Sequence, residues 1–100
     1  MKLSTSTGDL LKYASSLGDA VRLFKDTPFR YLNLEQDTAP YFLCQSDEPW
    51  RQQLEDWAKA EEDAGVTYVF SHAPCLNAFS GDRTDYDVTI RAIRRSIESC

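Results

Sequence analysis

Three short segments of the chain have the pattern of a β-strand: in two of them apolar and polar residues alternate, and the third is rich in β-branched and aromatic residues. The clearest segment is residues 29–35, which follows Pro28 and places aromatic and aliphatic side chains at alternate positions. Residues 66–71 are a β-branched and aromatic run of strand length, and residues 3–6 are a shorter alternating segment. The pattern therefore predicts three strands, which begin near residues 3, 30 and 66.

After the first predicted strand, apolar residues recur at the spacing of a helix. Gly18 interrupts the apolar pattern, Asp19 is placed as the N-cap of a second stretch, and Pro28 ends that stretch. We therefore expect one interrupted helix over this connection, or a short helix followed by a longer one. The apolar positions before the interruption are Leu10, Leu11, Ala14 and Leu17.

Longer helical patterns follow the second and third strands. Ser46 or Asp47 can cap the first of these helices, and Gly65 stands where a left-handed C-terminal residue is expected. The last helix is expected to begin after a cap at Asp82. The apolar stripe of the earlier helix is Trp50, Leu54, Trp57, Ala58 and Ala64, and the apolar face of the last helix is Tyr86, Ile90, Ile93 and Ile97.

The order of these elements is β-α-β-α-β-α, which defines the fold class. Alternation of this kind predicts an α/β fold of three consecutive βα units, with parallel strands joined by right-handed crossovers. With 100 residues, the chain is expected to form a single α/β unit over residues 1–100.

The composition and net charge of the chain argue against nucleic acids and membranes as binding partners. The chain is 42% hydrophobic and carries a net charge of −5, which argues against tight binding to a nucleic-acid backbone. Arg91, Arg94 and Arg95 are interpreted as a solvated helix face. No apolar run approaches the roughly 20 residues of a membrane-spanning helix, and the start lacks the apolar stretch of a signal peptide. We expect a cytoplasmic protein that binds neither nucleic acid nor membrane.

The three cysteines give no sign of a zinc ribbon or a redox dithiol, because Cys44, Cys75 and Cys100 form no C-x-x-C pair. Their odd number is typical of reduced thiols in a cytosolic protein. Cys75 lies three residues from His72, but this spacing across Pro74 gives little support to a thiolate–imidazole nucleophile.

Polar residues at the ends of the predicted strands are the candidates for chemistry, because parallel α/β arrangements bind ligands at the carboxyl ends of their strands. Glu35 can serve as a base, a metal ligand or a hydroxyl acceptor, or it can form a salt bridge. His72 is the one histidine, and it is either part of such a site or simply exposed. The full set is Ser6, Thr7, Asp9, Glu35, Gln36, Asp37, Ser71, His72 and Asn77. Asp9 can also be a helix cap.

The sequence SHAPCLN at residues 71–77, set after a Val/Tyr/Phe strand, resembles the xylose isomerase-like barrel superfamily. That superfamily includes sugar-phosphate isomerases and epimerases and the apurinic endonuclease family. The resemblance implies a (βα)8 TIM barrel that holds a divalent metal (Mn, Zn or Mg) and a sugar or sugar phosphate. It implies a substrate-binding or structural carboxylate at Glu35, which we take as the catalytic candidate, and substrate contacts for His72 and Asn77. In the nuclease branch, His72 would be a metal ligand.

Three units correspond to part of such a barrel, which needs roughly 250 residues. The main metal and catalytic residues of the superfamily lie on later strands, so we expect this chain to be inactive alone and to hold no metal tightly. Three units would also leave an inner sheet face and both edges open, which favours self-association or helices that repack over the sheet. The alternatives are a small interaction module that uses the loop at residues 40–43, and a piece of the nuclease branch.

Overall fold

The computed structural model describes residues 2–36, 46–73 and 83–100. In chain order, the elements are β1 (Ser4–Ser6), a 3-10 helix (Thr7–Tyr13), α1 (Leu17–Arg22), a second 3-10 helix (Leu23–Asp26), β2 (Tyr31–Glu35), α2 (Asp47–Ala64), β3 (Thr67–His72) and α3 (Arg83–Glu98). None of the helices in these ranges is long and apolar enough to cross a membrane.

β2 is the central strand of a parallel three-stranded sheet with the order β1-β2-β3. β1 pairs with it from Ser4 opposite Tyr31 onward. On the other side, Leu32 is opposite Tyr68, but the next residue of β2 is opposite Phe70, so β3 contains one extra residue at this irregularity. The parallel α/β fold predicted from the sequence is therefore confirmed.

The core lies on one face of this sheet. Leu32 and Leu34 are buried, whereas the alternate residues Tyr31, Asn33 and Glu35 are half-buried. The leucines pack in clusters with residues from the helical side of the sheet, namely Leu17, Val21, Phe24, Trp50, Trp57, Ala60, Ala64, Val66 and Ala92. In the described ranges, the opposite face contributes to neither cluster, and its residues Ser4, Thr67 and His72 are exposed. We call it the uncovered face.

α1 begins before the predicted cap. Ser16 has an extended backbone, and its Oγ accepts a hydrogen bond from the Asp19 N–H at 3.1 Å, so the helix starts at Leu17. Gly18 lies inside this helix, where a Cβ would overlap the carboxylate of Asp56 on α2. The prediction of Asp19 as N-cap is therefore wrong, because Gly18 is a packing position rather than a helix break.

α2 follows its predicted apolar stripe. Ser46 is the N-cap residue, and Gly65 ends the helix in the left-handed conformation with a φ of 64°. Trp50, Trp57 and Ala64 are buried as expected, Leu54 is half-buried, and Ala58 is exposed.

α3 buries a different face from its apolar one. Tyr86 is 49% exposed and Ile97 is 70% exposed, while the buried side includes Thr89, Ala92 and Ser96. Arg95 is also buried, with 6% of its surface exposed. The interpretation of Arg95 as part of a solvated face is therefore wrong, although Arg91 and Arg94 are exposed.

Two contacts explain the burial of Arg95. Its Nη2 lies 2.5 Å from Asp47 Oδ1, and its guanidinium lies 5.0 Å from the centre of the Trp50 ring. The first turn of α2 thus supplies both an opposite charge and an aromatic surface, which together compensate the removal of the guanidinium from water.

The C-terminal end of α3 lies beside the carboxyl end of β2. Gln36 directly follows β2, and its Nε2 donates to Ser99 Oγ at 2.7 Å. In a regular βα crossover the helix runs back toward the amino ends of the strands. α3 therefore departs from the placement expected for a barrel unit and leaves the helical side of β3 partly uncovered.

Candidate functional site at the carboxyl end of the sheet

Side-chain hydrogen bonds join the carboxyl ends of β1 and β2. Ser6 Oγ donates to Glu35 Oε1 at 2.9 Å and accepts from the Gly8 N–H at 3.0 Å. Thr7 is fully buried, and its Oγ1 accepts from the Glu35 N–H at 3.0 Å. Both the main chain and the side chain of Glu35 are therefore held by residues that follow or end β1.

Asp9 belongs to the cap of the first 3-10 helix. Its carboxylate accepts hydrogen bonds from the Thr5 hydroxyl and, at 3.3 Å, from the Ser6 N–H. With the Ser6 side chain bonded to the helix backbone, this is a reciprocal capping box. Asp9 therefore contributes to a helix cap as expected, but it does so from the third position of a helix whose N-cap residue is Ser6.

Glu35 and His72 are register partners on neighbouring strands. Paired strands lie about 4.8 Å apart, and side chains at paired positions project from the same face of the sheet. The extra residue in β3 decides this pairing, because without it Glu35 would lie opposite Ser71. His72 is exposed, and its ring packs edge-on against Phe70 with 5.0 Å between the ring centres.

Gln36 connects three elements on the opposite, helical side of the sheet. It is fully buried, and its Nε2 donates to Ser71 Oγ and to Ser99 Oγ, each at 2.7 Å. Within the described ranges, Gln36 Oε1 has no hydrogen-bond partner. These contacts give Gln36 and Ser71 a structural role between β2, β3 and the end of α3.

The alternation of the strands thus divides the predicted site residues between two faces. Ser6, Glu35 and His72 share the uncovered face, whereas Gln36 and Ser71 lie on the helical side. Asp37, Asn77, Cys44 and Cys75 lie outside the described residues. Asn33 also lies on the uncovered face, but it is absent from the set predicted from the sequence. Its position two residues before Glu35 in an alternating strand could have identified it.

A metal centre would need more donors than the structure brings together. Glu35 and His72 supply one carboxylate and one imidazole, and no group of three or more His, Cys, Asp or Glu side chains in the described part of the chain could hold a metal ion. Protein metal sites generally use three or four such ligands. The described residues alone therefore do not make a metal site.

The side chains of Ser6, Glu35 and His72 indicate what the site at the carboxyl end of the sheet can bind. No family model, curated protein or solved structure matches this chain. The Glu35 carboxylate is a hydrogen-bond acceptor, while the Ser6 hydroxyl and the His72 imidazole can each donate and accept. This combination can bind a hydroxyl group, which is itself both donor and acceptor, and Glu35 can take a proton from it as a general base.

Proposed function

We propose that this chain forms the N-terminal part of a sugar-phosphate isomerase- or epimerase-like barrel, and that it supplies one side of the sugar site. The observation that carries the proposal is the uncovered sheet face on which Ser6, Glu35 and His72 come together. Three units are fewer than half of an eight-unit barrel. The proposal therefore assigns sugar binding to this chain and leaves isomerisation to the complete site.

The make-up of the uncovered face favours a hydrated, hydroxyl-rich ligand. The register places mostly polar side chains on it, with two aromatic rings among them. These residues are Ser4, Ser6, Tyr31, Asn33, Glu35, Thr67, Phe70 and His72. Barrel interiors that serve only as packing are dominated by branched aliphatic residues, so this face is better suited to polar contacts with a ligand.

Glu35 is the residue to which we assign the central role. Its position is fixed by Ser6 and Thr7 before any ligand binds, which lowers the entropy cost of using its carboxylate. We assign to it acceptance of a sugar hydroxyl and, in a complete site, the role of base. His72, one strand away and exposed, contacts the substrate beside it.

A binding experiment on the 11.4 kDa chain tests this proposal. We expect fructose 6-phosphate to shift the backbone amide signals at the carboxyl ends of β1, β2 and β3 in a nitrogen-15 NMR titration. Glu35→Gln should weaken the affinity by at least about tenfold, since a hydrogen bond to a charged group contributes about 1.5–3 kcal/mol. The matched control is Glu62→Gln, which removes the same charge from an exposed position on α2 and should leave the affinity unchanged.

Two results would contradict the proposal. One is the absence of amide shifts at millimolar fructose 6-phosphate. The other is a set of shifts that inorganic phosphate reproduces or that Glu35→Gln leaves unchanged. Either result would favour the alternative of a stand-alone interaction module.

A further inference from the structure

The exposed face of α3 is an apolar stripe that belongs to neither buried cluster of the described residues. Tyr86, Ile90, Ile93 and Ile97 follow one another at spacings of four, three and four residues, which aligns them along the helix. Ile90 is half-buried and the other three are exposed. Because the helix is held to the core by the different face that contains Ala92, this stripe remains available for contact with another surface.

A groove on the helical side of β3 is a second apolar surface that the described residues leave unfilled. It has a volume of about 440 Å³ and lies between α2 and the free edge of β3, with Ser99 and Cys100 at its border. Its apolar lining includes Leu54, Trp57, Ala58 and Val69. The displaced position of α3 leaves this groove open.

We propose that the stripe of one copy docks into the groove of a second copy, and that the exchange is reciprocal and forms a two-fold symmetric dimer. A single chain carries both surfaces, so two copies related by a two-fold axis can satisfy both at once. This contact uses a different surface from the polar sheet face to which sugar binding is assigned. A failure of one proposal therefore leaves the other unaffected.

Charge complementarity supports a second copy as the occupant. α2, which forms one wall of the groove, has the sequence DEPWRQQLEDWAKAEEDA, with seven acidic and two basic residues. The stripe on α3 is bordered instead by the exposed Arg94. Docking therefore brings Arg94 toward an acidic helix, and Glu61 in the groove lining is a candidate partner for it.

The apolar area is sufficient for a stable dimer. Tyr86, Ile93, Ile97 and Val69 are between 36% and 70% exposed. Their exposed parts amount to roughly 400 Å² per chain, taking about 200 Å² for a fully exposed large side chain. Two copies would bury about twice that area, and the surrounding polar rim would bring the total into the roughly 1,200–2,000 Å² range of specific interfaces.

Sedimentation equilibrium of the full chain, at concentrations from 1 µM to 1 mM, tests the dimer. We expect a monomer–dimer equilibrium that Ile97→Glu, in the stripe, and Ala58→Arg, in the groove, each weaken at least tenfold. Both positions are exposed in the single chain, so neither change disturbs the core. Val88→Glu is the matched control, because Val88 is also exposed and apolar but lies on the opposite side of α3.

Mixing the two variants is the decisive step. Ile97→Glu keeps an intact groove and Ala58→Arg keeps an intact stripe, so a mixed dimer regains one of the two contacts. We expect the mixture to associate more strongly than either variant alone. A wild-type chain that stays monomeric at 1 mM, a dimer indifferent to both substitutions, or a mixture no stronger than its components would overturn the proposal.

Discussion

Arg22 illustrates how much of this fold is fixed by one side chain. Its guanidinium binds Asp56 at 2.6 Å and Asp63 at 3.1 Å on α2, and Asp19 at 3.5 Å on its own helix. The hydrogen bond to Asp56 is the main reason that the pKa of Arg22 lies above its ordinary value. The pairs are partly exposed, so their value lies in orienting α1 on α2 more than in stability.

Gly18 is predicted to be required because of this ion pair. A Cβ at residue 18 would lie 2.9 Å from Asp56 Cγ and 3.2 Å from Arg22 Nη1, so alanine must displace the carboxylate from its partner. We expect Gly18→Ala to lower the free energy of unfolding by about 1–2 kcal/mol, measured by urea denaturation.

The same change made together with Asp56→Ala provides the control. Once the carboxylate is gone, alanine has room and is favoured over glycine within a helix by up to about 1 kcal/mol. We therefore expect Gly18→Ala to become neutral or stabilising in that background. Equal losses in both backgrounds would show that the steric argument is wrong.

At the scale of elements, α3 depends on a few polar contacts with distant parts of the chain. Replacing Arg95 by leucine keeps an apolar stem but removes the ion pair with Asp47 and the contact with Trp50. We expect a loss of about 1–2 kcal/mol in the free energy of unfolding and faster hydrogen exchange of the α3 amides. Arg91→Leu, at an exposed position of the same helix, should leave both unchanged, and an equal effect of the two substitutions would contradict this assignment.

The contrast between α2 and α3 shows what could be predicted from the sequence. The stripe of α2 and its end at Gly65 are local patterns, and both are confirmed except for Ala58, which is exposed. The prediction that α3 buries its apolar face is wrong. The position of this helix depends on Arg95 and Ser99, whose hydrogen-bond partners lie 48 and 63 residues away in the sequence. Apolar periodicity contains no information about such partners.

In the candidate site, too, the sequence pattern predicts the residues at the strand ends but does not predict how the strands pair. Strand ends identify Glu35 and His72 from pattern alone. Their pairing depends on the extra residue that β3 carries beside Leu32, and a shift of one residue would exchange His72 for Ser71 opposite Glu35. Sequence alternation does not reveal where such an irregularity falls.

At the scale of the whole molecule, Tyr68 connects the parts of the core. It packs against both buried clusters, its N–H donates to Glu61 at 2.8 Å, and its hydroxyl donates to the Trp57 carbonyl at 3.0 Å. Burial, followed by the negative charges of Glu61 and Asp56, raises the pKa of Tyr68 above its ordinary value of 10.0. Ionisation of this one phenol therefore acts on the stability of the entire fold.

Because the pKa of Tyr68 is higher in the folded than in the unfolded state, the free energy of unfolding depends on pH. The folded state holds the phenolic proton more tightly than the unfolded chain does, so this contribution to stability is complete below pH 10 and is lost as the pH rises above it. We expect urea midpoints to fall above pH 10 with a slope of up to about 1.4 kcal/mol per pH unit in the free energy of unfolding. Tyr68→Phe should cost about 1 kcal/mol at pH 8 through the lost hydrogen bond. Because phenylalanine does not ionise, the variant should decline less steeply between pH 10 and pH 11, and parallel declines of the two proteins would exclude Tyr68 as the cause.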